Sequence, residues 1–138
     1  MIRVFLDSDV ILDFLLKREH FAEPAGAIFS LGERGRLSLL TSTLSFMNVH
    51  YIAGTATDRT KARSLAQQLR TLVELLPVSA EHIEAACASD LKDIEDYVQY
   101  AVAREAHVDY LVTRNVDDYP SERSFIMDPA VFLNTLPR

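Results

Sequence analysis

The stretch Ile2-Arg3-Val4-Phe5-Leu6-Asp7-Ser8-Asp9-Val10-Ile11-Leu12-Asp13 decides how the rest of the chain is read. Ile2–Leu6 is a short apolar run of the kind that a sheet buries, and it ends on an acid, Asp7. Val10–Leu16 predicts a short helix after it. Helical periodicity resumes through Phe21, Ala25, Ile28, Phe29 and Leu31 and stops around Gly32–Gly35. Leu37–Leu40 is a second strand, and Thr43 caps a helix bearing Leu44, Met47, Tyr51 and Ile52 that breaks at Gly54.

The alternation continues. Thr57 or Asp58 starts an amphipathic helix through Ala62, Leu65, Ala66, Leu69 and Leu72, and Val73–Val78 is a strand interrupted by Pro77. Ser79 opens a helix to about Ala88, and Ile94–Ala106 is the most regular helix of all. Tyr110–Thr113 is an apolar strand followed by a polar loop, Arg114–Ser121. Phe125–Met127 is a last strand, and Pro129 begins a final helix at its first turn. Strands alternating with helices over short connections predict a three-layer α/β/α sandwich with a mostly parallel central sheet. Such sheets carry their sites at the carboxyl ends of the strands.

The chain has 138 residues, 49% hydrophobic and 25% charged, which is the profile of one folded domain able to bury its own core. Repeats, low-complexity stretches and linkers are absent. Cys87 is the only cysteine, so neither a disulfide framework nor a multi-cysteine zinc site is available. We read Cys87 as a small buried hydrophobe. His20, His50, His82 and His107 stand at no ligand spacing and read as structural or surface residues. No apolar run is long enough to span a bilayer, and the first residues lack the features of a signal peptide, so a cytoplasmic protein without a membrane partner is expected.

The net charge is −6, from 20 Asp and Glu against 14 Lys and Arg. That balance argues against bulk electrostatic binding of nucleic acid, though not against contact through a bound metal. Asp7 follows the first strand, Asn115, Asp117 and Asp118 follow the Tyr110–Thr113 strand, and Asp93 and Asp96 begin the helix that feeds it. Carboxylates gathered on one rim repel each other unless a divalent cation neutralises them. Mg²⁺ and Mn²⁺ prefer such oxygen ligands and assist phosphodiester hydrolysis without a covalent nucleophile. Neither a G-x-S-x-G elbow nor a Gly-rich phosphate loop occurs.

Three segments in register carry a family resemblance. Val4–Asp13 looks like the opening of PIN domains, Asp93-Ile94-Glu95-Asp96-Tyr97-Val98-Gln99-Tyr100-Ala101 resembles their central acidic helix, and Leu111–Tyr119 resembles the loop after their fourth strand. The resemblance implies a metal-dependent ribonuclease using Mg²⁺ or Mn²⁺, often the toxin of a toxin–antitoxin pair, with an RNA substrate and an antitoxin protein as partners. By matched position Asp7, Asp96 and Asp118 form the metal and catalytic site, with Asp93 as an accessory acid. Asn115 stands where many members carry Asp, and Ser8 and Asp9 lie in the same corner as Asp7. Many members also place Glu where this chain has Asn48, and the chain resembles a subgroup in which Asn recurs there. An amide ligates through its carbonyl but adds no charge.

Plainer roles exist for each of these residues. Asp7 serves equally as a helix cap, Asp93 and Asp96 as acids favoured by a helix N-terminus, and Asp117 and Asp118 as turn residues. Glu95 is expected to face solvent. Asn48 is either an inward ligand or a buried amide bonded to backbone. Arg59, Lys61, Arg63 and Arg70 read as a solvated helix face. Arg114 is suited either to a phosphate or to restraining the carboxylates.

Two other functions remain open at this level. Asp7-Ser8-Asp9-Val10-Ile11 also fits the opening of haloacid dehalogenase-like phosphatases, with Asp7 as nucleophile and Asp9 as general acid. The Asn48 departure leaves room for a catalytically weak PIN-like module that binds RNA or protein. In either PIN reading a homodimer is expected, with Leu44–Ile52 and Ala62–Leu72 offering apolar surface.

Overall fold

Ile2–Leu6 forms strand β1 at the centre of a five-stranded sheet in the order β3-β2-β1-β4-β5. The computed structural model describes residues 1–120 and 124–137. Strand β2 is Leu37–Ser42, β3 Glu74–Leu76, β4 Tyr110–Val112 and β5 Ile126–Met127. All four pairings among the described residues are parallel, and the returns from β1 to β2, from β2 to β3 and from β3 to β4 pass through α-helices.

Alternation along the strands divides the core into two. Val4 and Leu6 of β1 point to one face, with Leu37 and Leu39 of β2 and Val112 of β4. Against them pack α1 (Ser8–Leu15), α2 (Ala22–Glu33), α3 (Thr43–Ala56), α4 (Arg59–Leu72) and α7 (Pro129–Thr135). Phe5, Leu111 and Ile126 point to the other face, where α5 (Ala80–Ala88) and α6 (Ile94–Glu105) cover them with Ala86, Val98, Val102 and Ala103. The result is the expected α/β/α sandwich. Among the described residues no helix is long and apolar enough to cross a membrane.

Local chemistry explains where the elements begin and end. Asp7 accepts the Ser8 N–H and starts α1 directly at the strand end, earlier than the apolar pattern from Val10 implies. Ser42, not Thr43, caps α3 by accepting the Ser45 N–H. Helix α3 also does not break at Gly54. A methyl group there would meet the Ala62 Cβ at an ordinary contact distance of 3.7 Å, and the helix continues to Ala56. Pro77, which has no N–H, confines β3 to Glu74–Leu76. The Arg114–Ser121 loop contains a 3-10 turn at Val116–Asp118, and Ser121 lies outside the described residues.

Two further residues depart from or refine their expected roles. Cys87 is exposed rather than buried, because the residue of α5 that turns inward is its neighbour Ala86. His82 is structural: its Nδ1 accepts the Ser79 N–H in a capping box, and its Nε2 meets Glu105, tying α5 to α6.

Candidate functional site

The sheet order places a topological switch between β1 and β4. Successive strands run outward from β1 to β3, and the chain then returns to the other side of β1 to form β4 and β5. The crevice beyond the carboxyl ends of β1 and β4 is where an open parallel sheet binds ligands. Asp7 follows β1 there and Thr113 follows β4, and the Asp7 N–H donates to the Val112 carbonyl at 3.0 Å, joining the two strand ends.

Asp7 is almost fully buried and heavily bonded. Its Oδ1 accepts the Ser8 N–H at 2.7 Å. Its Oδ2 accepts the Thr113 hydroxyl at 2.9 Å and the Tyr119 hydroxyl at 2.7 Å. Burial pushes its carboxyl above the usual range, against the lowering effect of these donors. The helix cap and the site residue are thus the same side chain.

Asp9 lies two residues further on, in the first turn of α1. Its Oδ2 accepts the Arg114 N–H at 3.1 Å and the Asn115 side-chain amide at 3.0 Å. Its Oδ1 is buried and has no partner among the described residues. Burial, then the charge of Asp7, push its carboxyl up to about 7. Asp96 is likewise pushed up to about 7, by burial first and then by the charges of Asp7, Asp93, Asp118 and Glu95.

Asp7, Asp9, Glu95, Asp96, Asn48 and Asn115 line one cavity of about 260 Å³. Asp93, Asp117 and Asp118 do not line it; together with Glu95 they line an adjoining cavity of about 800 Å³ whose floor includes Leu44, Ile83, Leu91 and Val98. Asp118 nevertheless lies near enough for its charge to act on Asp96. Asp93 caps α6 by accepting the Glu95 and Asp96 N–H groups at 2.8 and 3.3 Å. Asn48 of α3 is half-buried and donates its amide to Glu95, so it bonds to a side chain rather than to backbone. Glu95 is exposed as expected, yet it faces both cavities.

The Arg114 side chain is committed to Asp13, which lies outside the acidic cavity. Its guanidinium grips the buried Asp13 through two bonds, of 2.7 and 3.2 Å, and lies 3.9 Å from the Phe21 ring centre. Gln99, buried in α6, accepts the Ser42 hydroxyl and donates to the Ser45 hydroxyl, both at 2.6 Å, locking α6 to the start of α3. Sequence reasoning assigned no role to Thr113, Tyr119, Gln99 or Arg18. Thr113 had the clearest signal, since it follows β4 on the same rim as Asp7.

Among the described residues no three His, Cys, Asp or Glu side chains are grouped to hold a metal ion. The donor chemistry does suit a hard divalent cation. The cavity offers carboxylate and amide oxygens, its acids raise one another's proton affinity, and one buried carboxylate oxygen lacks a donor.

Fold and rim together define a class. The chain belongs to the PIN domain family, whose model matches residues 3–117. That match spans both the opening corner and the acidic helix, and it sets the dehalogenase-like alternative aside. Among solved structures the chain is similar to the sarcin–ricin-loop-cleaving toxin VapC20 of Mycobacterium tuberculosis, with 16% identity over 78% of this chain and 86% of that one and a TM-score of 0.64. It is also similar to a chain of a toxin–antitoxin complex from Klebsiella pneumoniae, with 18% identity, 91% and 97% coverage and a TM-score of 0.67. A third similar chain comes from the VapBC2 complex of Rickettsia felis bound to a promoter DNA fragment, with 12% identity, 92% and 98% coverage and a TM-score of 0.65. At these identities the likeness establishes the shared fold. No curated protein matches the chain.

Proposed function

We propose that the chain is a single PIN unit acting as a cytoplasmic, metal-dependent ribonuclease that hydrolyses RNA phosphodiester bonds. The observation that carries this reading is the convergence of Asp7, Asp9, Glu95 and Asp96 on one small cavity at the switch point of the sheet. Asp7, Asp96 and Asp118 are the residues we assign to Mg²⁺ or Mn²⁺, with the open oxygen of Asp9 as a further donor. When bound, such an ion supplies activation of water and neutralisation of charge at phosphoryl oxygens.

The protein's own groups do the positioning. The Thr113 and Tyr119 hydroxyls fix Asp7, and the Arg114 N–H with the Asn115 amide fixes Asp9. Asp93 orders the first turn of α6 and so sets where Asp96 projects. Burial and the neighbouring acids push the Asp9 and Asp96 carboxyls up to about 7, so a bound cation would be needed to hold both ionised at neutral pH. Glu95, held by Asn48, brings a carboxylate to the place where Asn48 adds no charge, and this favours the catalytic reading over the inactive one.

The similarity to toxin chains supports a toxin role with an antitoxin partner. Exposed Met47, Tyr51 and Ile52 on α3 offer apolar surface for a homodimer. The test is cleavage of a pool of structured RNA with Mn²⁺ and with EDTA. Cutting that needs Mn²⁺ and is lost in Asp7→Asn supports the assignment. Cutting that survives in EDTA, or no cutting of any RNA, counts against it.

A further inference from the structure

The acidic cavity has to admit a phosphodiester, which is itself an anion, and the described residues supply one cation to its wall, Arg18. We propose that Arg18 is a substrate-binding residue that contacts the phosphate backbone of RNA entering this cavity. The proposal rests on the ribonuclease reading and adds to it the group that holds the strand.

The charge arrangement around Asp13 leads to this role. Asp13 is buried, with a side chain only 1% exposed, and it faces two guanidinium groups. Arg114 takes both of its oxygens at 2.7 and 3.2 Å and is stacked on Phe21. Among the described residues Arg18 is left with one side-chain contact, of 3.5 Å from its Nη1 to Asp13 Oδ1. Two guanidiniums share this one carboxylate, and Arg18 is the more exposed of them at 35%. A guanidinium held by one long contact keeps most of its donors for another anion, and a phosphate matches their planar geometry.

The backbone under this side chain is fixed. The Arg18 N–H donates to the Asp13 carbonyl at 3.0 Å, and its own carbonyl accepts the Phe21 and Ala22 N–H groups at 3.2 and 2.8 Å. Lys17 and His20, on either side, take left-handed backbone angles of 52° and 72°. The turn between α1 and α2 therefore presents Arg18 from a rigid base into the cavity that the acids, Asn48 and Asn115 also line.

The test is fluorescence anisotropy with a labelled single-stranded oligoribonucleotide carrying phosphorothioate linkages, which resist hydrolysis, in Mg²⁺ buffer. Wild type, Arg18→Gln, Arg18→Lys and the distant control Arg36→Gln are compared, each with its unfolding midpoint. Arg18→Gln should weaken binding roughly tenfold. It should also lower the slope of log affinity against log salt by about 0.7, the share of one phosphate contact on a single strand. Arg18→Lys should retain part of the binding and Arg36→Gln all of it. Arg18→Gln folds with Asp13 still paired to Arg114, and Arg18→Lys keeps the charge if it does not. Equal binding and equal slope in Arg18→Gln would overturn the proposal, as would equal losses in Arg18→Gln and Arg36→Gln, or no binding by wild type. Arg18-dependent binding by a wild type that never cuts RNA would instead overturn the ribonuclease reading and leave the RNA contact standing.

Discussion

The Tyr119 hydroxyl donates to Asp7 Oδ2 at 2.7 Å, joining the turn after β4 to the corner after β1. The ring is buried at 3% exposure, and burial with the neighbouring Asp7 charge holds the phenol well above its ordinary range, so it remains a donor at any working pH. Asp7 is thereby aimed by a residue more than a hundred positions away in the chain. Tyr119→Phe removes that donor without opening a cavity. It should lower stability by about 1–2 kcal/mol in urea unfolding and reduce RNA cleavage, while retaining the fold by circular dichroism.

The raised carboxyls of Asp9 and Asp96 set a pH dependence. An unfolded chain releases these protons near 3.8, whereas the folded form keeps them up to about 7. Proton retention favours the folded state between those limits, and the advantage is lost as pH rises through 7. In EDTA the unfolding midpoint should therefore fall between pH 5 and pH 8. Asp9→Asn should flatten that fall and raise the midpoint at pH 8, because it removes a like charge beside Asp7.

Metal binding should show the same protons. A divalent ion needs the ionised carboxylates, so Mn²⁺ affinity should drop below about pH 7, where Asp9 and Asp96 hold protons. Calorimetry in buffers of different ionisation enthalpy should register proton release at pH 6.5 and little at pH 8.5.

Asp13 is the buried anchor of two arginines. Asp13→Ala leaves both without their partner and should cost about 3 kcal/mol, read by thermal or urea unfolding. Because Arg114 also holds Asp9 through its N–H, the Asn115 loop should loosen as well, visible as faster amide exchange.

Gln99→Leu keeps the volume of a buried side chain but strands the Ser42 and Ser45 hydroxyls it bridges. Stability should fall by about 1–3 kcal/mol. Gln99→Glu, which can still accept from Ser42, should cost less at pH 5 than at pH 8.

The periodic apolar runs made the layers and the parallel sheet legible, because burial on both faces leaves Val4-Phe5-Leu6 and Leu111-Val112 apolar throughout. Asp7 was legible because a strand end marks the rim. Tertiary contacts hid the rest. Gly54 looks like a helix stop, yet α3 continues through it to Ala56, and Cys87 looks buried until α5 turns Ala86 inward. Tyr119 and Gln99 act by reaching residues distant in sequence, which spacing cannot reveal. Arg18 owes its place to a turn made of two residues with left-handed backbone angles that carry no glycine signal.

Whether the rim carboxylates share one divalent ion is tested most directly by counting bound Mn²⁺ through its electron paramagnetic resonance signal at pH 8. Wild type should bind one ion per chain, and Asp7→Asn and Asp96→Asn should each lose it while keeping a cooperative thermal transition. Undiminished Mn²⁺ binding in both variants, or none in wild type at millimolar Mn²⁺, would contradict the assignment.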